Sequence, residues 1–270
     1  MIKELSMDEI RTHIPLLEER REENLLFLNN LKIYEHNKDY SVFLISSLLA
    51  MVYRKKALIL FQEGPFDSRE LSAFIDKNGI NAITGAKATL ERLEEAGKDE
   101  WEFQTFPIME VTKESFRKVT ERSDNLSFLL TYEDFLSLAQ LYSRNEEFRE
   151  GFETEERQED WAEIMEEEME YPRAGCGYWK DGTLIAGAYL SSATKESAMV
   201  VGVLVDKDYR GQGIGTAVSQ EITDIALFDH RINRLFLCPS SQKAQDIYGR
   251  LGYTTIGECG KLKRISGKED

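Results

Sequence analysis

The chain has 270 residues, 41% of them hydrophobic, and its 49 acidic against 34 basic side chains leave a net charge of −15. That length points to one large or two modest domains, and the apolar fraction argues against disorder. The charge argues against nucleic acid as the main partner, because a polyanion is repelled unless a local basic patch outweighs the field. It favours cationic ligands, with a solvated acidic surface as the plainer account. Cys176, Cys238 and Cys259 lie far apart without CxxC or metal-like spacing, which fits free thiols in a reducing compartment and no metal. The N-terminus lacks the basic and apolar regions of a secretory leader. The most apolar stretch, Val42 to Tyr53, is interrupted by Ser46 and Ser47 and is too short to span a bilayer. A cytoplasmic protein with no membrane partner is expected.

In chain order, Ser6 to about Tyr34 reads as helix, with Ser6 and Glu9 spaced as a capping box and a leucine stripe behind them. Tyr40 to Ala50 and Ala57 to Phe61 read as strands. Asp67 or Ser68 caps a helix in which Leu71, Phe74 and Ile75 repeat at helical spacing. Asn78-Gly79 and Thr84-Gly85 mark turns, and Thr89 to Glu95 reads as a short charged helix. From Asp99 to Ser123 the pattern weakens and charge rises. The domain boundary is placed there, giving an α/β domain over 1–120 and a second domain over 121–270.

Leu126 to Thr131 is a strand and Tyr132 to Tyr142 a helix with Phe135, Leu136, Leu138 and Leu141 on its apolar side. Glu146 to Glu170 is strongly acidic but keeps a partial stripe of Phe148, Phe152, Trp161, Ile164, Met165 and Met169, so it reads as an amphipathic helix that Pro172 ends. Cys176–Trp179 and Leu184–Ser191 flank Asp181-Gly182, a strong hairpin signal. Ser197 to Val205 is a strand apolar nearly throughout and hence buried on both faces. A helix from Gly213 to about Leu227, a strand Arg234–Leu237, a helix Gln242–Leu251 stopped by Gly252, and a strand from Tyr253 complete the order.

The junction from Val203 to Thr216, with Arg210-Gly211-Gln212-Gly213-Ile214-Gly215 at its centre, carries the chemistry. A strand ends, a short polar turn follows, and three glycines lead into a helix. Glycine lets the main chain approach a ligand, and the unpaired N–H groups of a helix start attract anions. A pyrophosphate is the natural guest, with Arg210 as a fixed positive charge beside it. No Gly-Lys-Ser/Thr follows, so this is not a Walker loop. Asp224 and Asp229 are misplaced for a nicotinamide fingerprint. The plain alternative is a tight turn that packs a helix on a sheet.

Arg210-Gly-Gln-Gly213-Ile-Gly215 resembles the Arg/Gln-x-x-Gly-x-Gly/Ala motif of the GCN5-related N-acetyltransferase (GNAT) superfamily. Ala244-Gln-Asp-Ile-Tyr248-Gly-Arg-Leu-Gly252-Tyr253 resembles its Ala-x-x-x-Tyr-x-x-x-Gly-Phe/Tyr element. The two stand in the family's order with one strand between them, and the resemblance covers roughly residues 125 to 260. It implies a mixed, mostly antiparallel sheet flanked by helices, in which two neighbouring strands splay apart to admit acetyl-CoA. It also implies that the backbone of Val203 and Val205 meets the pantetheine arm. Arg210, Gly211, Gln212, Gly213, Gly215 and Thr216 hold the pyrophosphate region, and Tyr248 gives a proton to the leaving thiolate. The family often carries an Asn where Ser241 stands, so Ser241 is the expected cofactor contact there, with Ser240 beside it. No carboxylate lies between Ala198 and Val205, where many members place a general base; Glu196 and Asp206 only flank that strand.

The reaction so implied is direct attack of a primary amine on the thioester, which needs a neutral amine and a stabilised oxyanion. The acidic run falls where the family shapes its acceptor site, so a small cationic acceptor such as a polyamine, an amino sugar or a basic peptide end is expected, with a solvated helix face as the plain reading. Residues 1–120 read as a degenerate GNAT-like half without a phosphate loop, predicting one cofactor site per chain, and a homodimer is left open. The non-catalytic alternative is an acetyl-CoA-binding sensor or scaffold. His13, His36 and His230 are scattered and indicate neither a metal site nor a triad. Cys238, just past a strand, is an inert thiol or a neighbour of the thioester.

Overall fold

The computed structural model describes residues 2–19, 21–34, 40–53, 57–62, 64–96, 100–149, 151–167, 174–191, 193 and 196–265. Contacts divide the chain into two units: residues up to Ile108 together with those from Ile256 onward, and Met109–Thr255. The elements run β1 (Ile2–Glu4), α1 (Met7–Glu19), α2 (Arg21–Tyr34), β2 (Tyr40–Ile45), β3 (Leu48–Tyr53), β4 (Ala57–Gln62), α3 (Ser68–Lys77), β5 (Ala82–Ala86), α4 (Lys87–Ala96) and β6 (Trp101–Thr112). They continue with β7 (Leu126–Leu129), α5 (Tyr132–Ser143), α6 (Glu155–Glu167), β8 (Gly175–Lys180), β9 (Thr183–Ser191), β10 (Ser197–Val205), α7 (Ile214–Asp224), β11 (Arg234–Leu237), α8 (Gln242–Arg250) and β12 (Thr254–Arg264). The second series repeats the first element for element: one strand, two helices, three strands, then helix, strand, helix, strand.

In the first unit β1 to β4 are antiparallel neighbours in chain order, β5 lies parallel to β4, and β12 pairs antiparallel with β5. One face of its sheet buries Leu58, Leu60, Leu71, Phe74, Ile83, Leu90 and Leu262 with α3 and α4. The other buries Val42, Met51 and Phe61 with Ile10, Leu17 and Phe27 from α1 and α2. Strand β3 is buried on both sides, which is why it carries no polar alternation. Ser6 and Glu9 form the capping box, each accepting from the other's backbone N–H.

The second unit repeats the pattern. Strands β7 to β10 are antiparallel, β11 is parallel to β10, and the end of β6 pairs antiparallel with β11 through Met109–Thr112. One face buries Val200, Ile214, Val218, Ile222, Leu235 and Leu251 with α7 and α8. The other buries Phe135, Leu138, Tyr142, Ala162, Met165 and Leu204 with α5 and α6. Thr131 and Asp134 form a capping box on α5, and Asp181 and Gly182, both at positive φ, make the β8–β9 hairpin.

Several expectations change. The two compact units divide at 108/109, within the stretch 99–123 where the boundary is expected, and the C-terminal residues belong to the first unit, where β12 is the antiparallel partner of β5. Residues 101–112, within the stretch where the sequence pattern weakens, form a long strand. The helix over 6–34 is two helices. Tyr40 to Ala50 is a hairpin that turns at Ser46, a non-glycine residue at positive φ. Thr84-Gly85 lies inside β5 rather than at a turn. The acidic stretch becomes helical only at Glu155, after a series of turns. Glu168, Met169, Glu170, Pro172 and His36 lie outside the described residues.

Candidate functional site

Strands β10 and β11 begin side by side, with Ser197, Ala198 and Met199 paired to Arg234, Leu235 and Phe236. The pairing ends there, while β10 runs on to Val205. Within that extension the β9 register shifts between Val201 and Leu204, and Gly202 sits at φ 65. A Cβ at Gly202 would fall on the hydroxyl of Tyr142, which donates to the Gly202 carbonyl at 2.7 Å. The bulge is thus built from two parts, a residue that tolerates positive φ and a buried phenol that fills the space a side chain would need.

After β10, Asp206 caps a single 3₁₀ turn over Lys207–Tyr209 by accepting from Asp208 N at 3.2 Å. Gly211 and Gly213 then both adopt φ 82, and no heavy atom lies within 4 Å of a Cβ built at either. Backbone conformation, not crowding, therefore selects glycine there. Gly213 is the N-cap of α7 and supplies no side-chain hydrogen bond, so the first N–H groups of that helix face outward uncapped. Gly215 packs closely on β10, where a Cβ would meet Val205 Cγ2 at 3.3 Å.

A cavity of about 750 Å³ opens at this junction. Val203, Val205, Arg210, Gly211, Gly213, Gly215, Thr216, Ser241 and Tyr248 all line it. Gln212, the remaining residue expected in the site, is exposed and does not line it. Part of the Arg210 guanidinium is already engaged, with Nε donating to the Val205 carbonyl at 2.9 Å and Nη2 to Asn145 Oδ1 at 3.3 Å. Its position therefore serves to hold the end of β10 as well as to bring charge to the cavity. Ser241 is the N-cap of α8 and accepts from Ala244 N at 3.2 Å, so its hydroxyl has a structural task too. Lys243 and Arg250 add two cations to the lining that sequence reasoning did not single out.

Tyr248 is only 7% exposed. Burial pushes its phenol up to about 12, with a hydrogen bond to Ser219 working the other way. The group is neutral at physiological pH and able to give a proton. Its ring stands edge-on to Tyr253 at 5.5 Å between centroids, and Tyr253 meets Thr223 at 2.8 Å. The carboxylates lining the cavity are Glu147 and Asp246. Among the described residues of the acidic run Glu147 is the one that does so, and its Oε1 accepts from Ser240 at 3.1 Å. Elsewhere in the run, Glu166 accepts from the backbone N–H of Tyr132 at 3.0 Å, at the start of α5. Glu196 accepts from Asn233, and Asp206 caps the turn described above. Neither Glu196 nor Asp206 lines the cavity.

Cys238 is half-buried and outside the lining. Cys176 and Cys259 are buried, and the three thiols form no disulfide. Among the described residues no group of three or more His, Cys, Asp and Glu is placed to hold a metal ion, and no helix is long and apolar enough to cross a membrane.

Sequence reasoning missed one wall of the cavity, formed by Val119 and Thr120 from the stretch that follows β6. No local pattern marked it, because its anchors lie about a hundred residues away on α7.

Residues 135–253 match the acetyltransferase (GNAT) family, whose members use acetyl-CoA. Among solved structures, a GCN5-related N-acetyltransferase from Kribbella flavida is similar at a TM-score of 0.65 and 15% identity, over 89% of this chain and 95% of that one. A GCN5-related N-acetyltransferase from Sphaerobacter thermophilus gives 0.61 and 15%, over 89% and 86%. A tandem GNAT protein from the clavulanic acid biosynthesis pathway gives 0.60 and 10%, over 100% of this chain and 99% of that one. No curated protein sequence matches the chain. The segment 135–253 is thus a GNAT acetyltransferase-family domain, set in a chain that follows the GNAT fold over nearly its whole length.

Proposed function

We propose that the protein is an acetyl-CoA-dependent N-acetyltransferase that acetylates a primary amine of a small acceptor, with one cofactor site per chain in the second unit. The observation that carries this reading is the uncapped start of α7, behind two left-handed glycines, opening into the same cavity as the buried phenol of Tyr248. The thioester supplies the activated acetyl group. The free N–H groups of α7, with Gly211, Gly213, Gly215 and Thr216, bind the pyrophosphate, assisted by the field of Arg210. The stretch of β10 beyond its pairing with β11, through Val203 and Val205, receives the extended arm. As the C–S bond breaks and the N–C bond forms, Tyr248 donates its proton to sulfur. Glu147 and Asp246 are the carboxylates lining the cavity able to take up the amine's proton, while Arg210, Lys243 and Arg250 suit the anionic cofactor. The first unit is read as a GNAT-like half without a cofactor site.

A second reading, an acetyl-CoA-occupied sensor or scaffold, draws support from the lack of any carboxylate on β10. Calorimetry with acetyl-CoA, followed by thiol release with a panel of amines, separates the two. The enzyme reading expects binding and turnover with at least one amine. Binding without turnover for polyamines, amino sugars and peptide amines would move the assignment to the sensor, and no binding would overturn both.

A further inference from the structure

The stretch from Ser115 to Ser123 has no regular structure, yet Arg117, Lys118, Val119, Thr120 and Arg122 tie it to the helices that frame the cavity. The Arg117 N–H donates to the Leu251 carbonyl at 2.9 Å, at the end of α8. Lys118 Nζ reaches Asp224 Oδ2 at 2.7 Å, and Arg122 Nε reaches Glu221 Oε1 at 2.8 Å, both on α7. Between them the side chain of Gln220, 6% exposed, accepts from Val119 N at 2.6 Å and Thr120 N at 2.9 Å, and donates to the Thr120 carbonyl at 2.8 Å. One amide thus satisfies three backbone groups of two successive residues. An irregular strand of chain would otherwise leave those groups to water and stay loose. Val119 and Thr120 are the two residues of this strap that line the cavity. Val119 leaves 43% of its surface exposed, an apolar side chain held at the lip of the site.

Resting on the reading above, we propose that this strap is a cofactor-gripping element. Val119 packs against an apolar portion of the bound coenzyme, and Gln220 is the positioning residue that holds Val119 there in advance of binding. A rigid lip is worth more than the same contact made by a loose one, because the cost of ordering it has already been met in folding. The strap enters from the chain segment that precedes β7 and is anchored on α7 and at the end of α8.

The test measures acetyl-CoA affinity by calorimetry on the full chain for wild type, Val119→Ala, Gln220→Leu and Gln220→Glu, together with the melting temperature of each. Val119→Ala removes exposed methyl groups, so it is expected to leave the melting temperature unchanged and weaken binding about fivefold. Gln220→Leu keeps the side-chain volume and loses all three hydrogen bonds, and is expected to weaken binding about tenfold. Gln220→Glu still accepts from both N–H groups and falls between, and this partial rescue is something a general loss of stability would not produce. If wild type binds and Val119→Ala binds equally well, the strap is only structural and the inference fails. If wild type does not bind at all, it is the acetyltransferase reading that has failed.

Discussion

Helices α3 and α7 occupy the same place in the repeated order of elements, each following the fourth strand of its unit, and they begin in opposite ways. At α3 the N-cap is Asp67, whose carboxylate accepts from Arg69 N at 2.9 Å. The helix start is closed by its own anion, and Glu70 adds another charge in the first turn. At α7 the N-cap is Gly213, which offers no side chain. The strands differ in the same sense. In the first unit β4 and β5 pair over four successive residues, Ala57 to Leu60, of a six-residue strand. In the second the β10–β11 pairing stops after three residues of nine. The seventh residue of α4 is a buried leucine, Leu93, where α8 carries Tyr248. One fold therefore makes a closed core or an open site according to whether its helix start is capped and whether two parallel strands stay paired.

The comparison can be broken most severely at residue 213. Gly213→Asp places at α7 the kind of carboxylate that α3 carries, and acetyl-CoA affinity measured by calorimetry should fall at least about 100-fold, through both charge and blocked N–H groups. Tyr248→Phe makes the α8 position resemble its apolar counterpart. It should lower kcat about 100-fold while leaving the KM for acetyl-CoA nearly unchanged, as expected for a proton donor that acts in the transition state. Gly202→Ala attacks the bulge. Positive φ and the Tyr142 hydroxyl together should destabilise the protein by about 1–3 kcal/mol, read from denaturant unfolding. In the reverse direction, Asp67→Ala uncaps α3 and should cost about 1 kcal/mol of stability without creating a second cofactor site.

A further effect concerns alkaline pH. The Tyr248 phenol titrates near 12 when folded, against about 10 for an unfolded tyrosine. Its raised value contributes stability that is fully present below about pH 10 and is lost as pH rises toward 12. Tyr248→Phe should flatten that part of the stability curve in unfolding experiments between about pH 10 and 12, as judged relative to wild type.

How far the sequence could be read depended on how local the causes were. The glycine turn, the Asp181-Gly182 hairpin, the cap at Asp67 and the helix around Tyr248 all follow from residues within one turn of one another, and each stands where it was expected. The residues that frame the junction converge on one cavity because strand, turn and helix geometry leave little choice once the order is known. What could not be read came from distance. Strand β6 carries Glu102, Gln104 and Pro107 among its apolar residues, which blurs its pattern, and its end is defined by its pairing with β11. Gly85 reads as a turn, but it lies in β5 against the backbone of Leu60, where a Cβ would come within 3.1 Å of the carbonyl oxygen. The Ser46 turn has neither glycine nor asparagine to announce it. The contact of Glu147 with Ser240 and the grip of Gln220 on Val119 each join residues close to a hundred positions apart.

On the proposed reading one half of this repeated fold holds the cofactor and the other does not, and the stoichiometry of acetyl-CoA binding decides it. Calorimetry should give one site per chain in wild type, one in Asp67→Ala and none in Gly213→Asp. Two sites per chain, or binding that survives Gly213→Asp, would contradict it.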